Sequence, residues 1–206
     1  MPTRTPLRDR SATHPEIVVL LDDEGRAVGT ADKASVHDGD TALHLAFSAY
    51  LFDDRGRLLV TRRALDKRTF PGVWSNSVCG HPAPGEPLPD AARRRAAREL
   101  GVEVGPLRLV LPRFAYRAEM QGIVENEQCP VYAGWLAPGA SVRLAPEEVA
   151  ESEWVPWGRF VDQVTSGRAV SQWCREQVDE LVALGPVPKS WTEADDAQLP
   201  PAARIG

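Results

Sequence analysis

A chain of 206 residues with 43% hydrophobic residues can bury one ordinary core, and its net charge of −5 argues against a protein whose main work is neutralising nucleic-acid phosphates. No apolar run reaches the roughly 18 residues of a membrane span, and the first residues lack the apolar stretch of a signal peptide, so a soluble cytoplasmic protein without membrane insertion is expected. Three widely spaced cysteines form no disulfide framework and fit reduced thiols.

Residues 1–15 are rich in Pro, Thr and Arg without an apolar period and predict a flexible arm. Glu16 to Leu21 is a β-rich apolar run; the turn Asp22-Asp23-Glu24-Gly25 and a second segment to Thr30 make it a hairpin. Lys33 and His37 follow in a polar loop. His44 opens an alternating run over 43–52 that reads as one strand, and Asp53-Asp54-Arg55-Gly56 turns it back into a partner over 57–62. Asp90 is placed to cap a helix over 91–100, with Gly101 ending it in the left-handed conformation. Segments 107–117 and 123–136 read as two strands around a turn at Met120-Gln121-Gly122, and period-two geometry puts Glu125 and Glu127 on one face.

A short strand over 151–155 leads to Pro156, which opens a helix to about Val164. Val170, Trp173, Cys174, Val178, Leu181 and Val182 then recur at a helical period through 169–184. Gly185-Pro186 stops that helix, and the Pro-rich tail 186–206 is expected to add no core. Without internal repeats or a long linker, residues 16–185 read as one domain. The surface composition carries no dimer signal.

Chemistry-bearing residues concentrate between Trp74 and Gly101. Cys79 lies between Ser77 and Gly80-His81, beside several arginines that would favour a thiolate; a buried small hydrophobe is the alternative. For Cys174 on a helical apolar face, and for Cys129 in a strand, the buried reading leads. His37, His44 and His81 together with Glu125 and Glu127 form a set of imidazole and carboxylate donors suited to a divalent transition metal, although no tight ligand spacing enforces it. Clusters at Arg62-Arg63, Lys67-Arg68 and Arg93-Arg94-Arg95 with Arg98 could hold a small anion.

The segment from Gly80 to Val102 resembles the Nudix signature, a loop-helix-loop that binds Mg²⁺ and a diphosphate: Gly80, Glu86, Arg94, Glu99 and Gly101 match. Arg95 and Arg98 stand where the hydrolases carry glutamates, and a guanidinium cannot ligate a cation. The runs Leu43-His44-Leu45-Ala46-Phe47-Ser48, Phe70-Pro71-Gly72-Val73-Trp74-Ser75-Asn76-Ser77-Val78-Cys79-Gly80-His81-Pro82 and Glu125-Asn126-Glu127-Gln128-Cys129-Pro130 further resemble type I isopentenyl-diphosphate isomerases over about 16–180.

That resemblance implies an α/β fold, a Nudix-like mixed β-sheet sandwiched between helices in a single domain, and interconversion of isopentenyl and dimethylallyl diphosphate, a small-molecule prenyl diphosphate, in isoprenoid biosynthesis. His37, His44, His81, Glu125 and Glu127 match the family's ligands for one divalent metal (Mn²⁺, Mg²⁺ or Zn²⁺). Glu99, with the Cys79 carbonyl, matches the site of a diphosphate-bound Mg²⁺. Lys33, Arg63, Lys67 and Arg95 match diphosphate contacts, while Arg93 and Arg98 read as solvated. Cys79 and Glu127 match the acid/base pair, Tyr116 a residue that hydrogen-bonds the carboxylate, and Trp173 an aromatic face that stabilises the cation. Trp74 reads as core or pocket wall. The alternatives are a Nudix-type diphosphate hydrolase and a non-catalytic metal-binding module.

Overall fold

Apolar side chains alternating at a period of two build most of the molecule as strands, and both faces of the central strands are covered. The computed structural model describes residues 16–37 and 39–204, so the arm expected at 1–15 lies outside the described residues. In chain order the elements are β1 (Ile17–Leu21), β2 (Ala27–Asp32), α1 (Lys33–Val36), β3 (His44–Leu45), β4 (Phe47–Phe52), β5 (Arg57–Arg63), β6 (Trp74–Ser75) and β7 (Val78–Gly80). There follow α2 (Leu88–Leu100), β8 (Leu107–Leu111), β9 (Ala115–Met120), β10 (Ile123–Gln128), β11 (Val131–Trp135), β12 (Val149–Pro156), α3 (Trp157–Thr165) and α4 (Gln172–Val182).

The strands form two sheets, one in the order β2-β1-β3-β10-β9 and one in the order β12-β5-β4-β11-β8, with β6 on β5 and β7 on β4. Alternation along β4 serves both sides of the second sheet: Phe47, Ala49 and Leu51 pack with Leu88, Ala92, Ala96 and Leu100 of α2, whereas Tyr50 and Phe52 pack with Phe160 of α3 and Val178 and Leu181 of α4. A mixed sheet between helices is the arrangement expected.

Three runs expected as single strands, 43–52, 107–117 and 123–136, each divide between the two sheets. They cross together. β3 pairs parallel with β10 in one sheet, β4 parallel with β11 in the other, and the ladder bridges the crossing through Ala46 N to Gln128 O (2.8 Å), Ser48 N to Pro130 O (3.0 Å) and Cys129 N to Phe114 O (2.8 Å). Pro130, which has no N–H to donate, falls at the break. The crossing aligns the ends of several strands at one place and creates the wall of the site.

Helix α2 begins earlier than expected. Its N-cap is Pro87, and Asp90 lies inside the first turn, paired with Arg93 (2.8 Å), where a carboxylate favours the helix dipole. Gly101 ends it as expected, at φ 62°; a Cβ there would approach the Arg143 carbonyl to 3.2 Å. Helix α4 is capped by Ser171, whose hydroxyl accepts from Cys174 N, and buries Trp173, Cys174, Val178 and Leu181; Val170 precedes it, and Val182 faces solvent.

The segment after Gly185 corrects an expectation, because it does contribute core. Trp191 is buried, with its ring 5.2 Å from that of Trp157 and its Nε1 donating to Gly185 O (2.8 Å). Leu199 and Ala203 are also buried, and Ala194 N to Leu109 O (2.9 Å) and Ala202 N to Gly25 O (2.9 Å) tie the segment down. Prolines here set short 3₁₀ turns at Pro188–Ser190 and Pro201–Ala203 instead of preventing packing. No helix among the described residues is long and apolar enough to cross a membrane.

Candidate active site

His37 ends α1, His44 lies on β3, His81 follows β7 and Glu127 lies on β10 directly opposite His44 in parallel register. One ligand atom from each falls within 4.8 Å of the others. His44 Nδ1 lies 2.9 Å from Ala42 O and His37 Nδ1 3.3 Å from Lys33 O, so the neutral tautomers that donate to the main chain would present Nε2 as a lone pair to a metal, while the charged His44 ring donates from Nε2 towards Glu127 Oε1 at 3.4 Å. His37 Nε2 is buried without a hydrogen-bond partner among the described residues. Three imidazole nitrogens and a carboxylate are a donor set that fits a divalent transition metal.

Around the charged Glu127 carboxylate the three rings differ: burial favours the neutral form of His37 and His81, whereas at His44 burial is outweighed by the hydrogen bond to Glu127 and its charge, which raise the ring above its ordinary value. Burial, and then the charges of Lys33 and His44, push His81 down to about 3; burial also lowers His37. Glu127 is held well below the carboxylate range: burial opposes ionisation, but hydrogen bonds from His44 and His81 outweigh it, with His81 Nε2 2.9 Å from Glu127 Oε1. Glu125 stands beside this cluster. Tyr116, opposite Glu127 in the β9–β10 ladder, donates to Glu127 Oε2 (2.8 Å) and Glu125 Oε2 (2.9 Å). Burial and the Glu127 charge raise Glu125 to about 6.

Cys79 was expected on a loop, either as a thiolate favoured by nearby arginines or as a buried thiol. It lies instead on β7, opposite Ser48 of β4, and burial pushes its thiol up to about 11. The Arg63 charge acts in the expected direction and is outweighed. Sγ donates to Asn76 Oδ1 (3.0 Å) and lies 3.3 Å from Ser48 Oγ. Trp173 is buried in edge contact with Phe70 (5.1 Å) and close to Tyr116 (5.3 Å). Phe70 adopts a left-handed conformation, φ 49°, that a bulky residue seldom occupies, and its carbonyl accepts from Arg63 Nε (3.2 Å). Trp74 is part-buried against the core, with the Arg168 guanidinium 5.4 Å from its ring.

A cavity of about 630 Å³ joins this region to a cluster of cations, and Lys33, Arg63, Lys67 and Arg95 all line it with Cys79, Glu99, Tyr116, Glu125, Glu127 and Trp173. His44 lies fully buried beneath it. Arg95 is buried against Gly80, where a Cβ would come within 3.2 Å of its Nε; only glycine leaves the guanidinium this course. Arg63 donates to Thr69 O (2.9 Å) and Thr69 Oγ1 (2.8 Å).

Glu99, expected near a metal, and two carboxylates given no role in the sequence, Glu16 and Glu148, hold Lys33, Lys67, Arg95 and Arg98. Glu16 pairs with Lys33, Arg95 (2.9 Å) and Arg98 (3.2 Å); Glu148 pairs with Lys67, Arg95 (3.4 Å) and Arg98 (3.3 Å); Glu99 pairs with Arg95. Burial and the nearby Glu148 raise Glu99, against the pull of Arg95. Arg98 is exposed, as expected of a solvated face, yet from the rim of the cavity it reaches Glu16 and Glu148, while Arg93 does not line the cavity. The available signal was charge balance: buried arginines need carboxylates, and the acidic pair Glu147-Glu148 was the nearest unassigned supply.

Comparison with known proteins agrees with this geometry. The NUDIX domain family matches residues 42–174, more than half of the chain. A relative from Saccharopolyspora erythraea is 54% identical over 192 residues, covering 92% of this chain and 98% of the relative. One from Mycolicibacterium vanbaalenii is 56% identical over 171 residues, covering 82% and 93%; both are named isopentenyl-diphosphate Delta-isomerase. In fold alone, the chain resembles a solved Deinococcus radiodurans protein (TM-score 0.61, 21% identity, 80% of this chain and 98% of that one) and a MutT protein of Methanosarcina mazei (0.54, 19%, 68% and 94%). Relatives more than half identical over nearly their whole length leave one assignment: this chain belongs to the isopentenyl-diphosphate Delta-isomerase family of Nudix proteins.

Proposed function

We propose that the chain interconverts isopentenyl diphosphate and dimethylallyl diphosphate by adding a proton at one carbon and removing one at another, through a tertiary carbocation-like state. One observation carries the reading: a single cavity joins a protonated thiol and an ionised carboxylate at one end to the cations Lys33, Lys67 and Arg95 at the other, with Arg63 between them, its charge acting on Cys79, Glu125 and Glu99 alike. A diphosphate hydrolase has no use for the first end, and Arg95 and Arg98 take the place of its metal-binding glutamates.

An alkene is a very weak base, so the proton donor must be held against it in a site that water cannot enter. Cys79 and Glu127 are the proton carriers, one giving and the other taking, with roles exchanged in the reverse direction. Tyr116 fixes the Glu127 carboxylate by donating to Oε2, and Trp173 offers its ring face to the cationic carbon. Lys33, Arg63, Lys67 and Arg95 bind phosphate oxygens, Arg95 as a bidentate fork. When bound, a divalent ion at His37, His44, His81, Glu125 and Glu127 would tune the acidity of Glu127, and a Mg²⁺ near Glu99 and the Cys79 carbonyl would neutralise diphosphate charge.

The test is incubation with isopentenyl diphosphate and Mg²⁺ in D₂O. Deuterated dimethylallyl diphosphate without phosphate release is expected; phosphate release without label would establish hydrolysis instead.

A further inference from the structure

Behind Cys79 lies a polar cluster that the acid/base reading does not use. Asn76 is fully buried, and its Nδ2 donates to Ala49 O (3.1 Å) and Val78 O (3.0 Å). Both amide protons are thereby committed, which fixes the orientation of the side chain and leaves Oδ1 as an acceptor facing Cys79 Sγ at 3.0 Å. Ser48 is also fully buried, on β4 opposite Cys79. Its Oγ accepts from Gln177 Nε2 (2.9 Å), so its own proton remains available for a sulfur: Cys79 Sγ at 3.3 Å or Cys129 Sγ at 3.4 Å. Gln177 is in turn oriented by Tyr50, which donates to its Oε1 (3.1 Å).

We propose that Ser48 is a positioning residue that holds the Cys79 sulfur in place through the proton cycle, by donating its hydroxyl proton to the sulfur whenever Cys79 has given its own proton to substrate. The inference rests on the isomerase reading above. The two partners of Cys79 have opposite and complementary chemistry. The resting thiol keeps its proton in a hydrogen bond to Asn76 Oδ1, and rotation about Cβ–Sγ turns that same proton from Asn76 to the substrate carbon. The thiolate, which has none, takes a hydrogen bond from Ser48. Sγ thus gains or loses a proton without changing its position relative to Glu127 across the cavity, and the proton lost by sulfur is the one gained by carbon. A buried thiolate without a donor would be strongly disfavoured.

Ser48→Ala and Ser48→Thr separate this role from packing, because the two roles rank the variants in opposite order. Alanine removes the hydroxyl and fits the space; threonine keeps the hydroxyl and crowds a fully buried position. Ser48→Ala is expected to lower kcat about 10²-fold, the scale of losing one hydrogen-bond donor to a developing anion, with KM for isopentenyl diphosphate within about twofold of the parent by the same reasoning. Ser48→Thr is expected to retain at least about tenfold more kcat than Ser48→Ala, as a variant that still has the donor. Ser48→Ala with parental kcat would overturn the proposal.

Cys129→Ala serves as the second arm, should Ser48→Thr fold poorly. It removes the other sulfur within reach of Ser48, and parental kcat is expected; a loss matching that of Ser48→Ala would mean that Ser48 acts through Cys129, which also overturns the proposal. The parent protein assayed alongside keeps the two claims apart. If the parent produces no labelled dimethylallyl diphosphate, the isomerase reading has failed. If the parent is active and Ser48→Ala equals it, only the role of Ser48 has failed.

Discussion

The two ends of the cavity are held together in opposite ways. At the proton end, Glu127, Tyr116 and His44 lie on paired strands, bond to one another or to main-chain carbonyls, and are buried. At the anion end, Lys33 comes from a four-residue helix, Lys67 from a loop and Arg95 from α2, and Glu16, Glu99 and Glu148 are their partners. Proton transfer tolerates little displacement, so its groups gain from the rigidity of a sheet. A diphosphate bound as proposed would take Lys33, Lys67 and Arg95 from carboxylates they already pair with, so exchangeable ion pairs suit the other end. Only Arg63, which donates from β5 to the Thr69 and Phe70 carbonyls, is held there by the main chain.

Substitutions at the two ends should therefore fail differently. The largest effect is expected for Glu127→Gln and Cys79→Ala, each lowering kcat about 10⁴-fold, the upper range for loss of a general acid or base. The proteins should stay folded by circular dichroism. Substantial turnover in Cys79→Ala would remove the thiol from the mechanism and leave the proton end with one carrier.

Next comes Arg95→Ala, which should damage structure and binding together. It leaves Glu99 buried without its cation, and breaking a buried pair from one side costs about 3–5 kcal/mol. Urea unfolding measures that loss, and KM for isopentenyl diphosphate should rise with it. Unchanged stability would mean that Glu99 takes up a proton or finds another cation, and that the anion end is looser than its ion pairs imply.

Glu148→Gln tests the exchange itself and should act in the favourable direction. Neutralising a carboxylate that pairs with Lys67, Arg95 and Arg98 raises the positive potential of the site, so inorganic pyrophosphate should inhibit about tenfold more tightly, on the order of 1.4 kcal/mol. Weaker inhibition would show that Glu148 arranges the cations for the substrate and does not compete with it.

The same contrast explains what the sequence disclosed. The proton end was legible mainly as a resemblance carried by two short motifs, Cys79-Gly80-His81 and Glu125-Asn126-Glu127; periodicity by itself placed only Glu125 and Glu127 on one face, and Cys79, expected on a loop, lies on the short strand β7. The anion end was half legible. Its cations stood out against an acidic chain, but Glu16 and Glu148 reach them across long sequence separations that no local pattern encodes. Strand boundaries failed for a related reason. Alternation continues through Ala46 and Pro130 although the chain changes sheet there, and only the pairing of β3 with β10 and β4 with β11 marks the crossing. The C-terminal segment misleads because its proline content suggests an absence of packing, whereas Trp191 needs only one pocket beside Trp157 to anchor it.

The smallest expected effect belongs to Glu16, the most exposed of the internal carboxylates, and it depends on pH. Burial raises its pKa, but Lys33, then Arg95 and Arg98, outweigh this and lower it from 4.5 to about 2. A carboxyl group with a lowered folded-state value stabilises the protein fully above its unfolded value. That contribution disappears as the pH falls from 4.5 toward 2, because the unfolded chain takes up the proton first. Glu16→Gln should thus be less stable than the parent near neutral pH, by under about 1 kcal/mol since solvent and salt screen a part-exposed pair. The difference should shrink to nothing on acidification, as followed by urea unfolding at a series of pH values. If it persists at pH 2, Glu16 stabilises by packing along β1 and not by charge, and the anion end would be held by Glu99 and Glu148 alone.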